Sequence, residues 1–82
     1  MSDDDPTIPR DPTPRERFAS SLRHVRGVRG MTQDRLTYLT DMHRTEISLL
    51  ERSLREPRLG TLIKLSAVLE VPIDRFFEGQ FT

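Results

Sequence analysis

The 82-residue sequence contains no cysteine, which excludes disulfides and thiolate metal sites and fits a reducing compartment. No apolar run approaches the length needed to span a membrane, and the N-terminus lacks the apolar stretch of a signal peptide. A soluble, cytoplasmic protein is therefore expected. Glycine-rich phosphate loops and nucleophile elbows are missing as well. Two histidines are present, His24 and His43, and only His43-x-x-Glu46 has a spacing that puts two ligands on one helical face. No third ligand lies near it in sequence, so neither an enzyme nor a bound cofactor or metal is expected. No segment alternates in the manner of a strand, no repeat recurs, and "TDMHRTEISLLERSLREP", residues 40–57, lacks glycine altogether.

The formal net charge of zero conceals an asymmetry. Residues 1–13 carry Asp3, Asp4, Asp5 and Asp11 against Arg10 alone, a balance of −3, whereas residues 14–82 carry +3. "MSDDDPTIPRDPTP" holds four of the six prolines and almost no apolar residues. Such a segment buries too little surface to offset its ordering entropy, so 1–13 is expected to be a disordered acidic tail. The domain then spans 14–82. Twelve of its chain's thirteen cations are arginine, the residue suited to bidentate contact with phosphate and guanine.

Within the domain the apolar residues recur with helical period. Phe18, Leu22 and Val25 mark a first helix, and Gly30 its stop. Thr32 is placed to cap a second, about eight residues long, with Asp34 in its first turn and Leu36 and Leu39 on its apolar face. A third helix begins near Arg44, has Ile47, Leu50 and Leu54 on one face, and ends in "SLREP" before Pro57. Leu59, Leu62, Ile63, Leu65, Ser66 and Leu69 support a fourth. Pro72 opens a last short helix with Phe76 and Phe77, and Gly79 follows it. The fold class is all-α with five helices.

Two short helices joined by three or four residues have the layout of a helix-turn-helix, whose second helix enters the DNA major groove. At about 100° per residue, Ile47, Leu50 and Glu51 cluster on one side of the third helix. Thr45, Ser48, Leu49 and Arg52 lie on the other, and Arg44 stands at its N-terminal end. From Leu22 to Phe77 the chain resembles the phage-repressor and Cro-like (XRE) helix-turn-helix family. The likeness is carried by "LRHVRGVRGMTQDRLTYLT" with its Gly30-Met31-Thr32-Gln33 element, by "RTEISLLERSLREP", and by "LGTLIKLSAVLEVPIDRFF". "HRTEISLLERSLR" is most similar to the controller proteins of restriction–modification systems, which are single-domain dimers.

The resemblance implies a five-helix, lambda-repressor-like domain and a role for each matching residue. Gln33 would touch a phosphate beside the groove. Arg44 and Thr45 would approach base edges, Arg44 as a bidentate donor to guanine, with Ser48 and Leu49 one turn further on. Leu49 would meet a thymine methyl. Arg52, Arg55 and Arg58 would follow the DNA backbone, with Arg58 at a position from which the minor groove is within reach. Arg26 and Glu51 would form a structural ion pair. The chain departs from the family pattern at Asp41 and Glu70, where glycine is frequent, at His43, where a Ser or Thr cap is common, and at Glu46, which would repel nearby phosphates unless it accepts from cytosine N4 or points aside. The expected partners are double-stranded DNA and a second copy of the chain, bound on two half-sites. Leu59, Val71, Ile73, Phe76, Phe77 and Phe81 form a late apolar surplus that is expected to supply the homodimer interface. The alternative is an antitoxin or other protein-interaction module built on the same fold.

Overall fold

The structure, a computed structural model, describes residues 11–78. The tail expected at 1–13 thus lies mostly outside the described residues, as do Gly79 and Phe81. Among the described residues there are four α-helices, α1 Pro14–Val28, α2 Gln33–Thr40, α3 Arg44–Glu51 and α4 Leu59–Leu69, and then a 3-10 helix Ile73–Phe77. The fifth expected helix is therefore a 3-10 turn and not an α-helix. Five residues, following Pro72 as the N-cap, are too few for an α-helical hydrogen-bond ladder. No helix among the described residues is long and apolar enough to cross a membrane.

Local chemistry sets the helix ends. Thr13 and Glu16 form a reciprocal capping box at α1, with Pro14 in its first turn. Gly30 takes a left-handed φ of 68° just past α1, and the amides of Gly30 and Met31 close back on the carbonyls of Gly27 and Arg26. Thr32 Oγ1 accepts from the Arg35 amide to cap α2. Ser53, at φ 60°, ends α3 with its own amide on Leu50 O and the Leu54 amide on Leu49 O. That turn swings Leu54 off the buried face it was expected to share, and it stands 57% exposed.

One core joins all five elements: Phe18, Leu22 and Val25 of α1, Leu36 of α2, Ile47 and Leu50 of α3, Leu65 and Leu69 of α4, and Phe76. Phe18 sits between the two phenylalanines of the 3-10 helix, 5.3 Å from the Phe76 ring and 5.7 Å from Phe77. The helical pattern of α4 is therefore divided. Leu65 and Leu69 enter the core, whereas Leu59 and Ile63, four residues apart on another flank, stay exposed. On α2, Leu36 is buried and Leu39 remains partly exposed.

Asp41 and Glu70, at φ 58° each, occupy the left-handed conformation where the family favours glycine. The glutamate is the more strained of the two, since aspartate tolerates this region better. Its side chain is exposed and its carbonyl accepts from Arg29, a bond that any residue would keep. Glu70→Gly is therefore expected to stabilise the fold by about 0.5–1 kcal/mol, the relief of strain less the added freedom of the unfolded chain. Thermal denaturation followed by circular dichroism should show a midpoint higher by about 3–6 °C. A lower midpoint would show that the backbone there is not strained.

Candidate nucleic-acid interface

The turn between α2 and α3 is built from polar backbone satisfaction and one left-handed residue. Thr40 Oγ1 donates to Leu36 O at 2.7 Å and accepts from the Met42 amide at 3.3 Å. Asp41 then reverses the chain. His43 occupies the N-cap of α3 and makes no side-chain cap bond. The start of α3 is thus held by its packing, through buried Ile47 and Leu50, and not by its cap.

With that inner side anchored, the outer side of α3 is free of the core. Gln33, Arg44, Thr45, Ser48, Leu49 and Arg52 line one shallow depression at the surface, formed between the first turn of α2 and the length of α3. The six include all four residues expected to reach bases and two of those expected at the backbone. Arg44 lies 3.4 Å from Asp34 of α2. Arg58 stands apart, as the exposed N-cap residue of α4. Arg55 is turned towards α3: its NH1 donates to both carboxylate oxygens of Glu46, at 2.8 and 3.2 Å. Glu46 thereby acquires a cation beside it, which offsets the repulsion its charge would exert on a phosphate.

Glu51 lies beneath this surface, with its side chain 4% exposed. Its Oε2 accepts from Arg26 Nε at 2.6 Å, and its Oε1 from Arg26 NH2 and from Gln33 Nε2, both at 3.0 Å. Arg26 NH1 continues to Met31 O at 2.8 Å, and Arg23 NH1 donates to the Glu51 carbonyl. One carboxylate thus ties α1, the first turn of α2 and the last turn of α3 together. The hydrogen bond that Arg26 donates to Glu51 raises the Arg26 pKa above its ordinary value, against the opposing effect of burial. Gln33 is consequently fixed from below, leaving its second N–H and its carbonyl for anything above.

The residues expected to form a dimer face divide differently. Phe76 is fully buried and Phe77 stacks on Phe18, so α1 takes up the aromatic surplus that a partner was expected to cover. Phe76 cannot be an interface residue in this fold. Val71 and Ile73 are half-buried, with Val71 packed against the core. Leu59 is 69% exposed, and Ile63, one turn further along α4, is 54% exposed.

Some contributors carry no mark in the sequence. Arg29 donates to Leu69 O at 3.0 Å and Glu70 O at 3.4 Å and so caps the end of α4. Arg17 donates to Glu78 O at 3.2 Å and fastens the 3-10 helix to α1. Neither side chain lies near its partner along the chain, so no spacing reveals the contact.

Residues 22–76 match the family described as HTH_3, helix-turn-helix. The control protein C.SmaI of Serratia marcescens is 30% identical over 66 residues, which are 80% of this chain and 79% of that protein. The crystal structure of the restriction–modification controller protein C.AhdI from Aeromonas hydrophila superposes with a TM-score of 0.70 at 28% identity, covering 74% of this chain and 92% of that one. The wild-type restriction–modification controller protein C.Esp1396I gives a TM-score of 0.72 at 30% identity, over 84% of this chain and 88% of that one. These relatives are regulators and not enzymes, which leaves His43 and Glu46 without a catalytic part. The fold, the exposed outer side of α3 and these likenesses agree: the chain belongs to the HTH_3 helix-turn-helix family and is a DNA-binding transcription regulator of the XRE type.

Proposed function

We propose that the protein is the controller of a restriction–modification gene set, binding a two-fold symmetric operator as a homodimer upstream of its own gene. The observation that carries this reading is the depression lined by Gln33, Arg44, Thr45, Ser48, Leu49 and Arg52, on a chain related to two such controllers. Arg44 reads guanine, Thr45 and Ser48 contact neighbouring base edges, and Leu49 covers a thymine methyl. Gln33, Arg52 and Arg58 hold the backbone. Arg55 serves mainly to neutralise Glu46, so its contribution to phosphate binding is smaller than that of Arg52. A footprint on the DNA upstream of the gene tests the proposal. Two protected half-sites about 34 Å apart are expected, with affinity falling steeply as salt rises. Equal affinity for operator and unrelated DNA would overturn it.

The homodimer forms through the exposed apolar edge of α4, Leu59 and Ile63, set where a second copy related by a two-fold axis would present the same pair. Of the other residues expected there, Val71, Ile73 and Phe77 are half-buried and leave only part of their surface to a partner, and Phe81 lies outside the described residues. Ile63→Lys is expected to weaken self-association tenfold or more while leaving the melting temperature of the monomer within a few degrees, because the side chain is not part of the core. Sedimentation equilibrium at micromolar concentration checks this. A wild-type chain that sediments as a monomer with and without operator would remove the dimer from the proposal.

A further inference from the structure

Arg44 sits at the N-terminal end of α3, where the positive end of the helix dipole disfavours a cation, and the N-cap beside it makes no side-chain bond. Helix stability does not explain an arginine there. Asp34 supplies the compensating charge from a different helix, its Oδ1 3.4 Å from Arg44 NH1. We infer that Asp34 is a specificity-determining residue that acts through Arg44, a proposal that rests on the reading of Arg44 as the guanine donor.

The chemistry follows from which edge of the guanidinium the carboxylate takes. With NH1 turned towards Asp34, the Nε and NH2 edge keeps its parallel pair of N–H groups for O6 and N7 of guanine. A free arginine must surrender much rotamer freedom to present that edge, and a carboxylate that restrains it lowers the loss. In the free protein the pair is largely exposed and contributes little. When DNA excludes water from the depression, the same attraction strengthens. Asp34 has an opposite effect on DNA in general, because its charge repels phosphates wherever Arg44 finds no guanine. Both effects widen the gap between operator and unrelated sequence. Asp34 is thus a positioning residue, and no contact between it and DNA is needed.

The test uses the full chain carrying Asp34→Asn, with competition binding to the operator, to each single-base variant of it and to an unrelated duplex. Affinity for the unrelated duplex is expected to rise about threefold, since one repelling charge is gone. Discrimination at the base pair read by Arg44 is expected to fall about fivefold, and discrimination elsewhere to stay unchanged. In the Arg44→Ala background, Asp34→Asn should leave discrimination at that position untouched. Equal gains for operator and unrelated DNA, with an unchanged base profile, would show that Asp34 is only a repelling charge. A lower melting temperature with an unchanged profile would show that it serves only the first turn of α2. Either result overturns the inference while Arg44 remains the reader. If Arg44→Ala itself shows no loss confined to one base pair, both assignments fall together.

Discussion

Arg26→Ala is expected to lower the unfolding free energy by about 3–5 kcal/mol, the largest effect of any single change on the polar side of the fold. The reason is what remains. Glu51 would stay buried beneath α3 with Gln33 as its remaining side-chain donor, having lost two hydrogen bonds and its countercharge. Single domains have about 0.05–0.15 kcal/mol of stability per residue, so a chain this short loses about a quarter or more of its total. The guanidinium's pKa is raised on folding, so its contribution is complete at every pH below the arginine range. On the arginine side, the gap between variant and parent should therefore be flat through neutral and mildly alkaline pH. Urea titration measures the effect, and Arg26→Met with Glu51→Leu is the informative companion. Replacing both partners removes the stranded charge, so the double variant is expected to recover most of the loss. A loss below about 1 kcal/mol for Arg26→Ala would mean that the pair behaves as a solvated surface contact.

Arg44→Ala is expected to leave stability unchanged or slightly improved, because a cation leaves a helix N-terminus and alanine favours the helix. Binding should change sharply at one place. Losing a bidentate guanine contact removes about 1–3 kcal/mol of discrimination, roughly five- to 150-fold, at a single base pair. Against unrelated DNA the loss should be modest and uniform, that of one charge. Competition gel shifts against a set of single-base operator variants separate the two. A uniform loss over the whole set would make Arg44 a phosphate contact and return the reading of sequence to Thr45, Ser48 and Leu49.

The parts of this fold that were legible in the sequence are those governed by neighbours along the chain. The spacing of Phe18, Leu22 and Val25 marks α1 and Thr32 caps α2, while Asp41 and Glu70, both left-handed, stand where the family pattern has glycine. What was not legible depends on long-range docking. Composition gives Phe76 and Leu59 equal claims to the core, and only the seating of the 3-10 helix on Phe18 buries one and exposes the other. Leu54 keeps the apolar spacing of α3, yet the left-handed turn at Ser53 removes it from that face. Arg23, Arg29 and Arg17 meet partners 28, 40 and 61 residues away, beyond any local pattern. In the candidate interface, the wheel separates the outer residues of α3 from its buried ones. It does not show that Arg55 turns to Glu46 or that Gln33 is held by Glu51.

That hold on Gln33 belongs to an arrangement with a broader consequence. The tilt of α3 against α1 and α2 is fixed by Ile47, Leu50 and the carboxylate of Glu51, all on its inner side. Of the residues facing outwards, the side chains of Thr45, Ser48 and Leu49 make no hydrogen bond or ion pair among the described residues, and Arg44 adds only its exposed pair with Asp34. The two sets occupy one short helix without sharing a duty. The outer four are therefore open to wholesale replacement, and a chain given a different quartet should dock at the same angle on a different address. Under the proposed reading of α3, retargeting this protein would mean rewriting side chains on a mount that stays in place.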